Sequence, residues 1–168
     1  MIEVDISDDI ISNAKIKADE MGSLNNSIRK GDGNLVGFIG EYVVADYLDG
    51  TINNTYDYDI THCNVRIDVK TKECTSPPKP YYECSIAGYN TKQQCDVYVF
   101  TRVCNRKCWI LGWMLKEDYF KRAKFMKKGQ IDTSNNFTVK ADCYNLAISD
   151  LKSIEGLKKA FDKRLASL

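Results

Sequence analysis

An α/β or α+β domain, a sheet with helices around it, is what the sequence predicts, from three observations. Apolar residues recur at helical spacing through the first 48 positions. Short β-branched and aromatic runs cluster from there to about residue 114. Helical spacing returns towards the end.

The elements follow in order. Ser7-Asp8-Asp9 opens a helix, with a capping serine and two acids at the positive end of the dipole. Ile10, Ile11, Ala14, Ala18 and Met21 give it an apolar stripe, and Gly22 stops it. Residues 23–34 read as a polar loop carrying Arg29 and Lys30, either folded over a ligand or a plain linker. A second helix, from about Leu35 to Leu48, is apolar on most sides and should be largely buried. Glu41 lies inside it between Gly37 and Ala45, and a buried acid needs a partner or a task.

Strands come next. Residues 51–55 form a short one. Residues 56–61 and 65–73 form a hairpin around Cys63-Asn64, and Tyr82 to Ala87 another strand. Pro77-Pro78-Lys79-Pro80 is a loop without repeats. Residues 96–103 and 108–114 make a second hairpin across Cys104-Asn105-Arg106-Lys107. A basic helix is expected over 116–128, a loop over 129–136, a strand over 141–148 and a closing helix over 149–168.

The 168 residues fit one domain, 1–168, with residues 1–34 an N-terminal helix and loop, a core of about 35–103, and 104–168 the later hairpin and helices. Lysine and arginine total 24 against 23 acids. A net charge of +1 argues against strong non-specific nucleic-acid binding, but an acidic site can offset a basic contact surface. Met1-Ile2-Glu3-Val4-Asp5 is not a signal peptide, and no apolar run suits a membrane span. The odd count of seven cysteines favours reduced thiols and a cytoplasmic location. Only Cys104 and Cys108 are close, no CxxC occurs, and His62 is alone, so small thiols outweigh a zinc or iron–sulfur site.

The chemistry concentrates at Asp68-Val69-Lys70. Side chains two apart on a strand share a face, so Asp68 and Lys70 point one way and Ile67 and Val69 the other. A tight turn at Cys63-Asn64 sets His62 opposite Val65, Asp59 opposite Asp68 and Asp57 opposite Lys70. Opposed Cβ atoms lie about 5 Å apart, so Asp59 and Asp68 can share one metal, and Asp59 is preferred to Asp57. A one-residue slip would undo this. Hard carboxylate oxygens suit Mg²⁺ or Mn²⁺, which can polarise a phosphate and activate a water. A lysine alongside can position the water or neutralise developing charge. The plain alternative is an exposed strand face with a weak ion pair.

Gly40-Glu41 on a helix, Tyr58-Asp59-Ile60 and Asp68-Val69-Lys70 on two strands, and the core strand Asp96-Val97-Tyr98-Val99-Phe100 occur in an order that resembles the PD-(D/E)xK nuclease superfamily. Tyr58 stands where the motif's proline would be. The resemblance spans about Leu35 to Val103. It implies a restriction-endonuclease-like core, a central mixed β-sheet flanked by helices, here with an extra β-hairpin and a C-terminal helix. It implies Mg²⁺ bound by Asp59 and Asp68, a catalytic Lys70, and Glu41 as a further ligand or water-orienting acid. Some members use a glutamine after the motif, a place for Gln94 or its neighbour Gln93.

The expectation is therefore a Mg²⁺-dependent DNA endonuclease of restriction, junction-resolving, repair or homing type, with Mn²⁺ as a substitute. Double-strand cutting by one compact domain implies a homodimer or higher homo-oligomer. Arg29, Lys30, Lys72 and Lys92 are candidate nucleic-acid contacts, and loops 23–34 and 74–80 or the basic helix would read the target. The alternative is a non-catalytic nucleic-acid-binding protein on a nuclease-like fold. A thiol or zinc protein is a weaker third reading.

Overall fold

The structure, a computed structural model, describes residues 1–21, 32–53, 55–134 and 136–167, with the side chains of residues 32–34 outside that set. It is mixed α/β: a curled mixed sheet with four α-helices among the described residues. The main sheet has six strands: β1 (Ile2–Asp5), β2 (Thr51–Ile52), β3 (Ile60–His62), β4 (Val65–Glu73), β6 (Val97–Cys104) and β7 (Lys107–Leu115). Their order across it is β1-β7-β6-β4-β3-β2. β4 and β6 run parallel, and every other neighbouring pair is antiparallel.

β5 (Glu83–Ala87) leaves this sheet and pairs with β11 (Cys143–Ala147), which also pairs with β8 (Lys124–Met126). β9 (Ile131–Asp132) and β10 (Phe137–Thr138) form a separate two-stranded ribbon.

Helix α1 (Asp8–Met21) begins as the capping residues require: Ser7 Oγ accepts the Ile10 N–H at 3.2 Å. Helix α2 (Asp32–Leu48) starts three residues before the expected Leu35, so residues 32–34 are helical rather than loop. Arg29 and Lys30 lie outside the described residues.

Strand alternation sorts the core into two layers. Ile67, Val69, Val97, Val99 and Val103 pack on Phe38, Ile39, Val43 and Val44 of α2. Leu157 and Phe161 of α4 (Ile154–Ala166) join that layer. Tyr98 and Phe100, one residue along, face Ile86, Leu146 and Tyr119 of the second layer. Gly40 lets α2 lie this close to the sheet. A Cβ there would stand 2.0 Å from Thr71 Oγ1 and 2.7 Å from Thr101 Oγ1, well inside contact distance. The approach carries Glu41 to the polar end of β4.

Four expectations are corrected. Residues 2–5, assigned no element, form edge strand β1; a four-residue alternation is too short to read from sequence. Residues 56–59 are not strand, because the Thr55 hydroxyl accepts N–H groups from Asp57 and Tyr58 and bends the chain before β3. The basic helix is only α3 (Lys116–Arg122); after it Ala123 is extended and Lys124–Met126 pair with β11. The closing helix starts at Ile154, after a 3₁₀ turn at Ile148–Asp150. Among the described residues no helix is long and apolar enough to cross a membrane.

Candidate active site

The β3–β4 hairpin positions the site. Cys63 and Asn64 both take left-handed backbone angles, φ 49° and 62°, as a two-residue type I′ turn requires. His62 therefore faces Val65, Thr61 faces Arg66, and Ile60 faces Ile67. One step further the ladder changes character. The Asp59 N–H donates to Ile67 O at 3.0 Å, while Asp59 Oδ2 accepts the Val69 N–H at 2.7 Å. The side chain of Asp59 thus takes the place of the next main-chain acceptor and is locked beside Asp68.

Asp68 and Lys70 share the face of β4 opposite α2. Lys70 Nζ lies 2.6 Å from Asp68 Oδ2, an oxygen that receives no hydrogen bond beyond this ion pair among the described residues. Gln93 ties the two together. Its Nε2 donates to Asp68 Oδ1 at 3.2 Å and to Tyr56 O at 2.8 Å, and its Oε1 accepts from Lys70 Nζ at 3.0 Å. Lys116 Nζ in turn donates to the Gln93 carbonyl.

Of the two glutamines, the structure brings Gln93 into this cluster and leaves Gln94 out. Gln94 is exposed, its Nε2 donating to Lys92 O at 3.0 Å. The 3₁₀ turn Gly88–Lys92 ends at Gln93, whose extended backbone sends consecutive side chains opposite ways. Asp57 is also elsewhere: instead of facing Lys70, its Oδ1 accepts the Gln94 N–H at 2.9 Å. Lys72 continues the Asp68–Lys70 face outward, and Lys92 is exposed at the end of the 3₁₀ turn. Lys116 was missed as a site residue. Leu115 pairs with Val97 across the second hairpin, which brings the Lys116 N–H to Asp96 O at 3.0 Å beside the start of β6.

Three acids share this low-dielectric environment. Burial, then Asp59 and Asp68, push Glu41 up to about 9. Burial and then the Asp68 charge raise Asp59 to about 7, against the Val69 N–H and Lys70. Asp68, 1% exposed, is raised by burial, with Lys70, Gln93 and Lys116 opposing. The apolar side of the cluster is Tyr98, which pairs with Asp68 across β4 and β6, and the buried Cys95, whose thiol is lifted to about 11 by burial and then by Asp68. Burial raises the proton affinity of all three, repulsion between carboxylates adds to it at Glu41 and Asp59, and a divalent cation would compete with those protons.

Asp59 and Asp68 supply hard oxygens, and Mg²⁺ is commonly held by one or two carboxylates with water and phosphate completing its shell. Asp68 Oδ2, held among the described residues by the Lys70 ammonium alone, keeps lone-pair capacity for such an ion. Among the described residues no group of three or more His, Cys, Asp or Glu is gathered as a ready cage. All seven cysteines are free thiols.

Comparison with protein-family models finds no match, and comparison with curated proteins finds none at a significant level.

Proposed function

We propose that this chain is a Mg²⁺-dependent DNA endonuclease with a restriction-endonuclease-like core of the PD-(D/E)xK type. The observation that carries the reading is the Asp59–Asp68–Lys70–Gln93 constellation: two opposed acids with raised proton affinity, beside a lysine held in place by both Asp68 and Gln93.

Bound Mg²⁺, or Mn²⁺ in its place, would polarise the scissile phosphate and make its water more acidic. Asp59 and Asp68 would hold it, with Glu41 as a further ligand or an acid that orients the water. Gln93 fixes Lys70 Nζ on the same face. From there the ammonium orients the attacking water and offsets charge developing on the phosphate. The Lys116 ammonium, bound to the Gln93 carbonyl, adds positive potential to Asp68 from the far side. Lys72 and Lys92 offer phosphate contacts along the approach. Cutting both strands of a duplex implies pairing of two copies. Seven free thiols support a reducing, cytoplasmic setting.

The test is conversion of supercoiled plasmid and of a four-way junction by the purified protein with Mg²⁺, with Mn²⁺ and with chelator. Metal-dependent nicking supports the reading. Tight binding that survives chelator, with no nicking in either metal, would replace it by non-catalytic binding.

A further inference from the structure

We infer that the cavity beyond Lys70 on the same face holds an unpaired base of the DNA strand being cut, so that the substrate is frayed or branched near the cut. The inference rests on the nuclease reading. The cavity measures about 530 Å³ and lies between the outer face of the β5–β11–β8 sheet and the β9–β10 ribbon.

Its inner wall continues the site. Lys72 and Arg102 are partners across β4 and β6, both on the Asp68–Lys70 face. Lys72 is two residues beyond Lys70, roughly 7 Å along the strand. A phosphate at Lys70 therefore puts the neighbouring nucleotide at the cavity mouth.

The mouth is aromatic. Tyr81 is 67% exposed, and Tyr82 stands edge-on to it at 5.2 Å, with the Arg102 guanidinium 5.1 Å over the Tyr82 ring. Rings beside cations form the stacking platform that single-stranded nucleic acid uses. The floor is polar. Asn145, 9% exposed, has an Oδ1 without a hydrogen-bond partner among the described residues. A buried acceptor left unmade is costly, and a base edge offers the donor it lacks. Glu83 and Asp132 also line the cavity. Their carboxylates would repel a phosphate but accept from exocyclic amino groups, which is why the occupant is a base. A base stacked inside a duplex cannot enter, so the nucleotide must be unpaired or flipped.

The experiment is fluorescence anisotropy in chelator, with a splayed-end DNA and a blunt duplex of matching length, for wild type, Tyr81→Ala and Asn145→Ala. We expect wild type to bind the splayed DNA about tenfold more tightly than the duplex, and both variants to lose that preference. Tyr81 is exposed, so its variant keeps the fold even if Asn145→Ala does not. A 5-iodouracil in the unpaired arm should crosslink to the peptide carrying Tyr81 and Tyr82. Equal affinity for the two DNAs, or a crosslink mapped to another face, would overturn the inference. Nicking without the preference would remove the cavity's role and leave the nuclease reading standing. Preference and crosslink without nicking would keep the cavity and remove the nuclease.

Discussion

The two faces of β4 are buried to similar depth and hold opposite chemistry. Ile67 and Val69 are 0% and 7% exposed and pack on α2; Asp68, between them, is 1% exposed and faces Lys70 and Gln93. On the apolar face burial stabilises the fold, by roughly 1.5–3 kcal/mol for a fully buried side chain. On the other face burial opposes ionisation of Asp68, as it does for Asp59 beside it and for Glu41 on α2, and Lys70 with hydrogen bonds from Gln93 and the Val69 N–H only partly offsets it. One strand thus stabilises with one side and stores unfavourable electrostatics with the other. A site that carries such a cost is where a cation would be most welcome.

That contrast can be broken from either side. The largest effect is expected from Asp68→Asn, which should abolish metal-dependent nicking, a loss of about a hundredfold or more, while the metal-free protein still folds and melts cooperatively, because the burial cost lifted from Asp68 offsets part of the lost Lys70 ion pair. A variant both inactive and strongly destabilised would show Asp68 to be structural. Ile67→Ala, on the other face, should do the reverse. It should lower stability by about 2–5 kcal/mol in urea denaturation, with nicking by the remaining folded protein near normal.

Between these lies the pH dependence. Glu41 keeps its proton when folded up to about 9, against an ordinary 4.5, and Asp59 up to about 7, against 3.8. Over those intervals the unfolded chain has released protons that the folded chain holds, so metal-free stability should fall as pH rises from about 4.5 towards 9. Mn²⁺ held by these acids would displace those protons, so its stabilisation in thermal melts should be larger at pH 8 than at pH 6. A shift independent of pH would contradict the assignment of the acids to the metal. The smallest and most discriminating pair is Gln93→Ala against Gln94→Ala. The first should cost activity by freeing Lys70, and the second should change nicking rates little, since its exposed side chain donates to the Lys92 carbonyl and not to the acid–lysine cluster.

The comparison also separates what sequence can show from what it cannot. The β3–β4 register was legible because two residues, Cys63 and Asn64, separate two alternating runs, and a two-residue turn leaves one pairing. Asp68 and Lys70 on one face followed from strand period alone. Gln93 against Gln94 was not legible, because the choice depends on how the 3₁₀ turn before them ends. Lys116 was hidden by a bulge: the β6–β7 register shifts between Phe100 and Thr101, so counting from the Asn105 turn misplaces the far end by one residue. The lysines of 124–128 fell at helical spacing, yet Lys124–Met126 pair with Asn145–Cys143, a contact no local pattern reveals.

The most direct measurement compares nicking of supercoiled plasmid in Mg²⁺ by wild type, Lys70→Ala and the control Lys163→Ala, an exposed lysine in the last turn of α4, each repeated with chelator. The account predicts cutting by wild type and by Lys163→Ala, lost in chelator and reduced about a hundredfold or more in Lys70→Ala. Cutting by Lys70→Ala at the wild-type rate, or wild-type cutting that persists in chelator, would contradict it.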